Sequence, residues 1–208
     1  MTAAAATVLI VDDDASVRKS LTRLVAAAGY GVQAFASAQE FLARPPSTGP
    51  CCLVLDVRMP GLTGLELQRT LAQAPHRIAI VFITGHGDVA TSVAAMKAGA
   101  VDFLTKPFAR QALLDAIEQA LARDTRELGT QARVEAILQK VALLTPRETA
   151  VFALVVTGML NKQIASELGI GEGTVKVHRA RVMEKMGAGS LAELVRLADA
   201  VGVVVPKR

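Results

Sequence analysis

The sequence predicts a doubly wound α/β domain built on a five-stranded parallel sheet, followed by a second, smaller all-α domain of four helices. Three observations carry that prediction. In the first 123 residues, short β-branched runs alternate with helical patterns, as parallel strands joined by right-handed crossover helices require. Beyond residue 140 the alternation stops, and helical patterns separated by glycine turns replace it. The chain of 208 residues, 51% hydrophobic and 20% charged, is long enough for two cores and too apolar for disorder.

The first strand is Val8–Val11. The apolar start Ala3–Val11 has no basic residues before it and runs straight into Asp12, Asp13 and Asp14, so it reads as a strand rather than a signal peptide. A helix over Ser16–Ala28 stops at Gly29, and the second strand is Val32–Phe35. Ser37 with Glu40 makes a capping box for a helix over Ala38–Ala43. The third strand, Leu53–Leu55, follows Cys51 and Cys52, an adjacent pair poorly suited to a structural disulfide. Both read as small buried strand residues in a reducing cytoplasm. Next come a helix over Leu62–Ala74, a strand at Ile78–Ile83, a helix over Val89–Ala98 ending at Gly99, a strand at Val101–Leu104 and a helix over Arg110–Arg123.

The segment Asp124–Lys140 is charged and rich in Gln and Ala, with Gly129 in its middle. It either extends the preceding helix or serves as a semi-rigid linker. Thr145-Pro146-Arg147-Glu148 is then a strong helix start, with a Thr cap, a first-turn Pro and a Glu placed for a capping box. Helical patterns follow at Glu148–Thr157, Lys162–Leu168, Glu172–Met186 and Leu191–Ala200, the last with Ser190 and Glu193 as a further box. The expected organisation is a domain over 1–124, a helical linker over 125–140 and a domain over 141–208.

Charge separates the two halves. Residues 1–124 hold 11 basic and 11 acidic residues, whereas residues 141–208 hold 9 basic and 6 acidic, a net of +3. The basic C-terminal third suits an anionic partner. No apolar run approaches the roughly 20 residues a membrane span needs, so the expected location is the cytoplasm.

Asp12 and Asp13 follow the first strand and Asp56 ends the third. In an open parallel sheet ligands gather at the carboxyl ends of strands, where these carboxylates would meet. Such a cluster needs a hard cation, and Mg²⁺ fits. The fourth strand ends in Thr84-Gly85 and the fifth in Thr105-Lys106-Pro107, bringing a hydroxyl and an ammonium suited to phosphate oxygens. A carboxylate nucleophile, Mg²⁺, a hydroxyl and a lysine together make a phosphoryl-acceptor site.

These residues resemble the response-regulator receiver family, whose fold is flavodoxin-like. The resemblance covers residues 6–124 and rests on Asp12-Asp13-Asp14, Leu55-Asp56-Val57-Arg58-Met59-Pro60-Gly61, Thr84-Gly85-His86-Gly87-Asp88 and Phe103-Leu104-Thr105-Lys106-Pro107-Phe108. It implies that Asp56 accepts phosphoryl from a sensor histidine kinase. Asp13 and Asp56 would hold Mg²⁺ with the backbone carbonyl of Arg58, and Asp12 would assist through water. Thr84 and Lys106 would bind the phosphoryl oxygens, with Thr84 and Phe103 as the switch pair. His86 reads as a loop residue shaping the switch region. The chain is then not an enzyme, apart from slow self-phosphorylation and self-dephosphorylation at Asp56.

Within Glu172–Met186, Val175, His178, Val182 and Met186 recur at spacings of three and four and form the core face. Lys176, Val177 and Ala180 lie opposite, flanked by Arg179 and Arg181. Val177 and Ala180 could meet thymine methyls in a major groove and Lys176 base edges or phosphate; Arg179 and Arg181 suit the backbone. Leu144 to Glu148, Gly158 with Asn161-Lys162-Gln163-Ile164-Ala165, and Thr174 to Arg179 resemble the LuxR/NarL helix-turn-helix family over residues 141–203. That family implies a recognition helix at Glu172–Met186, phosphate contacts from Asn161 and Lys162, further contacts from Thr174, and binding to double-stranded promoter DNA as a dimer. Leu160 and Gly171 stand where the family commonly has Ser. A Gly cap costs only a few tenths of a kcal/mol, so the fold is safe while one phosphate contact is weakened.

Taken whole, the chain resembles the FixJ-type subgroup. That implies a homodimer formed on phosphorylation through the face around Val89–Phe103, with RNA polymerase as a further partner. Two other functions compete. An aspartyl phosphatase would favour a second Asp two residues after the nucleophile, but position 58 is Arg. A receiver with a protein or RNA output would not need the small apolar groups Val177 and Ala180 on an exposed helix face.

Overall fold

The computed structural model describes residues 6–47, 49–74, 78–85 and 88–203. Its elements are β1 (Thr7–Val11), α1 (Ala15–Ala27), β2 (Gly31–Phe35), α2 (Ala38–Leu42), β3 (Cys51–Asp56), α3 (Gly64–Leu71), β4 (Ala79–Thr84), α4 (Val89–Lys97), β5 (Asp102–Thr105), α5 (Arg110–Ala142), α6 (Pro146–Val155), α7 (Asn161–Leu168), α8 (Glu172–Met186) and α9 (Leu191–Ala200). They divide into two compact units, with the boundary between Leu128 and Gly129.

In the first unit the strand order is β2-β1-β3-β4-β5, and every pair is parallel. The central strands β3 and β4 are buried at every residue, which is why they read as continuous apolar runs rather than alternating ones. Side chains of β1, β3 and β4 alternate between two cores. Val8, Ile10, Cys52, Val54, Val81 and Ile83 face Leu21 and Val25 of α1 and Leu113 and Ile117 of α5. Leu9, Val11, Leu53, Leu55, Ile80 and Phe82 face Phe41 of α2, Leu67 of α3 and Ala95 of α4. Burying each such Leu, Ile or Phe contributes about 1.5–3 kcal/mol. Cys51 and Cys52 are free, fully buried strand residues, and burial pushes the Cys52 thiol up.

Local chemistry sets the helix starts. Asp14 caps α1, accepting from Ser16 N at 2.7 Å. Ser37 and Ser190 cap as expected, but their boxes are not reciprocal. Glu40 accepts from Ala36 N and Glu193 from Gly189 N, each one residue before the cap. The helix expected from Leu62 begins instead at Gly64, because Thr63 and Glu66 form a reciprocal box. The fifth strand is Asp102–Thr105 rather than Val101–Leu104, with Val101 N donating to Ile80 O at its entry.

α5 runs unbroken to Ala142. Ala, Gln, Glu, Leu and Arg are strong helix formers, and a single Gly129 costs only about 1 kcal/mol. Of the two readings of 124–140, helix extension is the observed one. Asp124 is fully buried and accepts Cys51 N at 2.9 Å, which ties this turn of α5 to the start of β3.

The second unit packs Ile137, Val151, Phe152, Val155, Ile164, Val175, Val182, Met186 and Leu194 into one core. Thr145 and Glu148 form the expected reciprocal box at α6. Glu148 also accepts Lys185 Nζ of α8 at 2.7 Å. That ion pair, with the Thr145 N–H, holds the Glu148 carboxyl down at about 2. Gly169 closes α7 at φ +64°, a left-handed cap that only Gly adopts without strain.

Candidate functional site

The register of the sheet assembles the acidic site. Val11 pairs Leu55 across β1 and β3, so the next residues, Asp12 and Asp56, stand side by side at the carboxyl edge. Asp56 pairs Ile83 and Thr84 pairs Thr105. Lys106 N donates to Thr84 O at 2.7 Å. Four strand ends therefore bring Asp12, Asp56, Thr84 and Lys106 to one edge.

A single ammonium links the two buried carboxylates. Lys106 Nζ donates to Asp12 Oδ2 and to Asp56 Oδ1, each at 2.7 Å. The remaining oxygens are also used: Asp56 Oδ2 accepts Arg58 N at 2.7 Å, and Asp12 Oδ1 accepts Asp14 N at 2.9 Å. Asp12 is 1% exposed and Asp56 6%. Burial raises the Asp56 carboxyl above its ordinary range and outweighs the opposing pull of Lys106. Burial also disfavours the Lys106 charge, but hydrogen bonds to Asp12 and Asp56 win and hold the ammonium above its usual value.

Thr84 is buried at the end of β4. Phe103 is half-buried on β5, its ring 6.1 Å from that of Phe82 and tilted by 42°. Asp13, directly after buried Asp12, is exposed. Among the described residues no three Asp, Glu, His or Cys side chains form a ready metal-binding group. Lys106 stands between the two buried members of the expected carboxylate set. His86 lies outside the described residues.

Two residues shape this site without having been expected to. Arg18 Nη1 donates to the Asp12 carbonyl at 2.7 Å, fixing the β1–α1 turn; nothing in the sequence distinguishes this arginine from a solvated one. A Cβ on Gly64 would lie 2.3 Å from the Asp56 carbonyl oxygen. The only sequence signal for that approach is a glycine between a cap residue and a helix.

In the second unit α7 and α8 form a helix–turn–helix, with Ile164, Ala165, Val175 and Val182 in the shared core. On α8, Thr174, Lys176, Val177, Ala180 and Arg181 are exposed, while His178 and Arg179 are half-buried. Val177 is 51% exposed, which leaves its methyl groups free to meet a partner. Lys162 is exposed and Asn161 half-buried. Arg179 Nη1 donates to Asn161 Oδ1 at 3.1 Å, joining the two helices. Leu160 has no oxygen to cap α7, but Gln163 Oε1 still accepts its N–H at 2.8 Å.

Residues 8–118 match the response regulator receiver domain, and residues 142–198 match the bacterial regulatory proteins of the luxR family. The chain belongs to the two-component response regulators. It is a FixJ-like regulator of transcription, with a receiver domain followed by a LuxR-type DNA-binding domain. It is 50% identical to Nodulation protein W of Bradyrhizobium diazoefficiens, over 95% of this chain and 87% of that one. The structure of the response regulator StyR is 49% identical and covers 94% of this chain and 99% of its own, with a TM-score of 0.82. Full-length FixJ from B. japonicum is 44% identical over 98% of this chain and 100% of its own, with a TM-score of 0.56. As a response regulator the protein is a transcription regulator rather than an enzyme in the ordinary sense, and its two domains imply a kinase and DNA as partners. Among the described residues no helix is long and apolar enough to cross a membrane.

Proposed function

We propose that Asp56 is the phosphoacceptor of a receiver spanning residues 1–124, coupled by a helical linker over 125–140 to a DNA-binding domain over 141–208. The observation that carries this is the Lys106 ammonium shared between buried Asp12 and Asp56 beside Thr84. An Asp56 oxygen attacks the phosphorus of a phosphohistidine on the sensor kinase. The P–O bond forms as the P–N bond breaks, and the imidazole nitrogen leaves with the electron pair. Lys106, already directed at Asp56, is positioned to meet the new phosphoryl charge. Thr84 supplies a hydroxyl for the same oxygens, and Phe103 on the adjacent strand follows it.

An all-oxygen donor set suits Mg²⁺. Asp13 and Asp56 would hold it with the Arg58 carbonyl, and Asp12 would assist. Bound there, the ion would neutralise charge on the transferring group. Slow self-phosphorylation from small phosphodonors and slow self-dephosphorylation belong to the same site.

Val89, Val93 and Met96 recur along α4 and are 79%, 44% and 44% exposed, which supports this helix as part of a homodimer face. Dimerisation raises the effective concentration of the second DNA-binding domain at a paired promoter site. There Asn161, Lys162, Thr174, Lys176 and Arg181 contact phosphates or base edges, and Val177 and Ala180 meet thymine methyls. RNA polymerase is the downstream partner, and the cytoplasm the compartment.

The test is retention of DNA from a randomised duplex pool at fixed salt, with and without Mg²⁺ and acetyl phosphate, alongside Asp56→Asn. Sharpened binding to one motif, lost in Asp56→Asn, is the expected outcome. Equal selectivity in every condition would remove Asp56 as the gate.

A further inference from the structure

We infer that Arg179 serves DNA recognition as a positioning residue, orienting the Asn161 carboxamide toward a phosphate, rather than gripping the DNA backbone itself. The inference rests on the DNA-binding reading above and assigns work within it. Arg179 is half-buried, unlike its exposed neighbours Lys176 and Arg181. Its Nη1 donates to Asn161 Oδ1 at 3.1 Å, across 18 residues of sequence, from α8 to the first residue of α7. A guanidinium has donors and no acceptor, so the carboxamide can face it only through oxygen. The two Asn161 N–H donors are therefore turned the other way. A phosphate oxygen needs such donors, and an unheld carboxamide would offer oxygen as readily as nitrogen. Arg179 removes that ambiguity and fixes the spacing between α7, which grips the backbone, and α8, which reads the bases.

Charge bookkeeping separates this role from direct contact. An arginine that neutralises one phosphate contributes about 0.9 to the slope of log K against log salt. An arginine acting through a neutral amide contributes nothing to it.

The experiment uses the full-length chain with Mg²⁺ and acetyl phosphate, and a duplex selected by the wild type from the randomised pool. Affinity is measured over a range of salt for Arg179→Met, Asn161→Ala and the double variant, with thermal melts confirming the fold. Each single change is expected to weaken binding roughly fivefold, about 1 kcal/mol. The double variant should be no weaker than either single one, and the wild-type salt slope should persist throughout. Arg179→Lys, which keeps a donor toward Asn161, should recover part of the loss.

Additive losses, or a slope lowered by about 0.9 in Arg179→Met, would overturn the inference while leaving DNA binding in place. Should Arg179→Met fail to fold, Asn161→Asp decides. It keeps an acceptor for Arg179 and replaces the outward donors with an anionic oxygen, so it should fold normally and bind DNA more weakly than Asn161→Ala. Wild-type affinity in Asn161→Asp would refute the positioning role. A wild type that retains no duplex would overturn the DNA-binding reading, and this inference with it.

Discussion

Gly64 is the residue whose replacement should most cleanly expose how the acidic site is held. It opens α3 directly after the Thr63 cap, and its N–H donates to Val57 O at 3.0 Å. A Cβ there would stand 2.3 Å from the Asp56 carbonyl oxygen, and 3.1 Å from both Phe82 Cε1 and Val57 Cα. Ordinary contact begins near 3.4 Å, so strand and helix must part by about 1 Å. The obstructing atom is backbone on a fully buried strand, and no rotamer change relieves it. Against this stands the better helix propensity of Ala, at most about 1 kcal/mol and less in a first turn. Overpacking of a filled core costs about 1–3 kcal/mol, so Gly64→Ala should destabilise the first unit, by about 1 kcal/mol or more. Urea denaturation should show a lower midpoint at unchanged slope. Acetyl-phosphate labelling of Asp56 should slow as well, because displacement on the order of 1 Å at a reacting group can cost 100-fold. An unchanged or raised midpoint would refute the steric argument.

Gly129→Ala is the complementary case. It lies inside α5 with nothing within 4 Å of a new Cβ, so it should stabilise by about 0.5–1 kcal/mol, read as a raised urea midpoint. Asp56→Asn should raise the melting temperature at neutral pH. The folded carboxyl is raised by burial, so its contribution is favourable below the unfolded value and is lost as pH rises through the folded one. The advantage of Asn should therefore shrink as pH falls through the Asp56 titration, and a destabilised Asp56→Asn would contradict this. Glu148 has the opposite sign. With its carboxyl lowered from 4.5 to about 2 by Lys185 and Thr145, its contribution is present above pH 4.5 and disappears as pH falls toward 2. Glu148→Gln should remove that part of the acid sensitivity of the second unit, checked by melts across this range.

Much of the fold was legible because the two periodicities are strong. β3 and β4 are continuous apolar runs closed by Asp56 and Thr84, and α1 to α4 each start behind a capping Asp, Ser or Thr. Boundaries failed where local chemistry was subtler than pattern. Thr63 displaced the start of α3 because its partner Glu66 sits inside what reads as a featureless helix. Asp124 reads as the start of a linker, yet it is a buried staple on Cys51 N, a long-range contact that no local window contains. In the acidic site the meeting of Asp12, Asp56, Thr84 and Lys106 at one edge was legible from the strand ends, but the separate fates of three consecutive aspartates were not. Asp12, Asp13 and Asp14 are equivalent in sequence, but the turn after β1 buries the first, leaves the second exposed and spends the third on capping α1.

That division of labour explains why the site is poised rather than merely acidic. Asp12 and Asp56 face each other at low exposure, where two carboxylates would repel strongly and one would take up a proton. Lys106 offsets that repulsion by pairing with both, which supports the proposed role of Asp56 as the nucleophile. Yet burial still pulls the Asp56 carboxyl upward, so its charge is tolerated rather than welcomed. A group in that position gains from any change that gives its charge better partners. A phosphoryl group on Asp56 would offer Lys106 several oxygens in place of one, and Thr84, buried at the end of the adjacent strand, would bring a hydroxyl to the same edge. On the proposed switch, the packing of Phe103 on Phe82 would pass that response to the strand leading into α5.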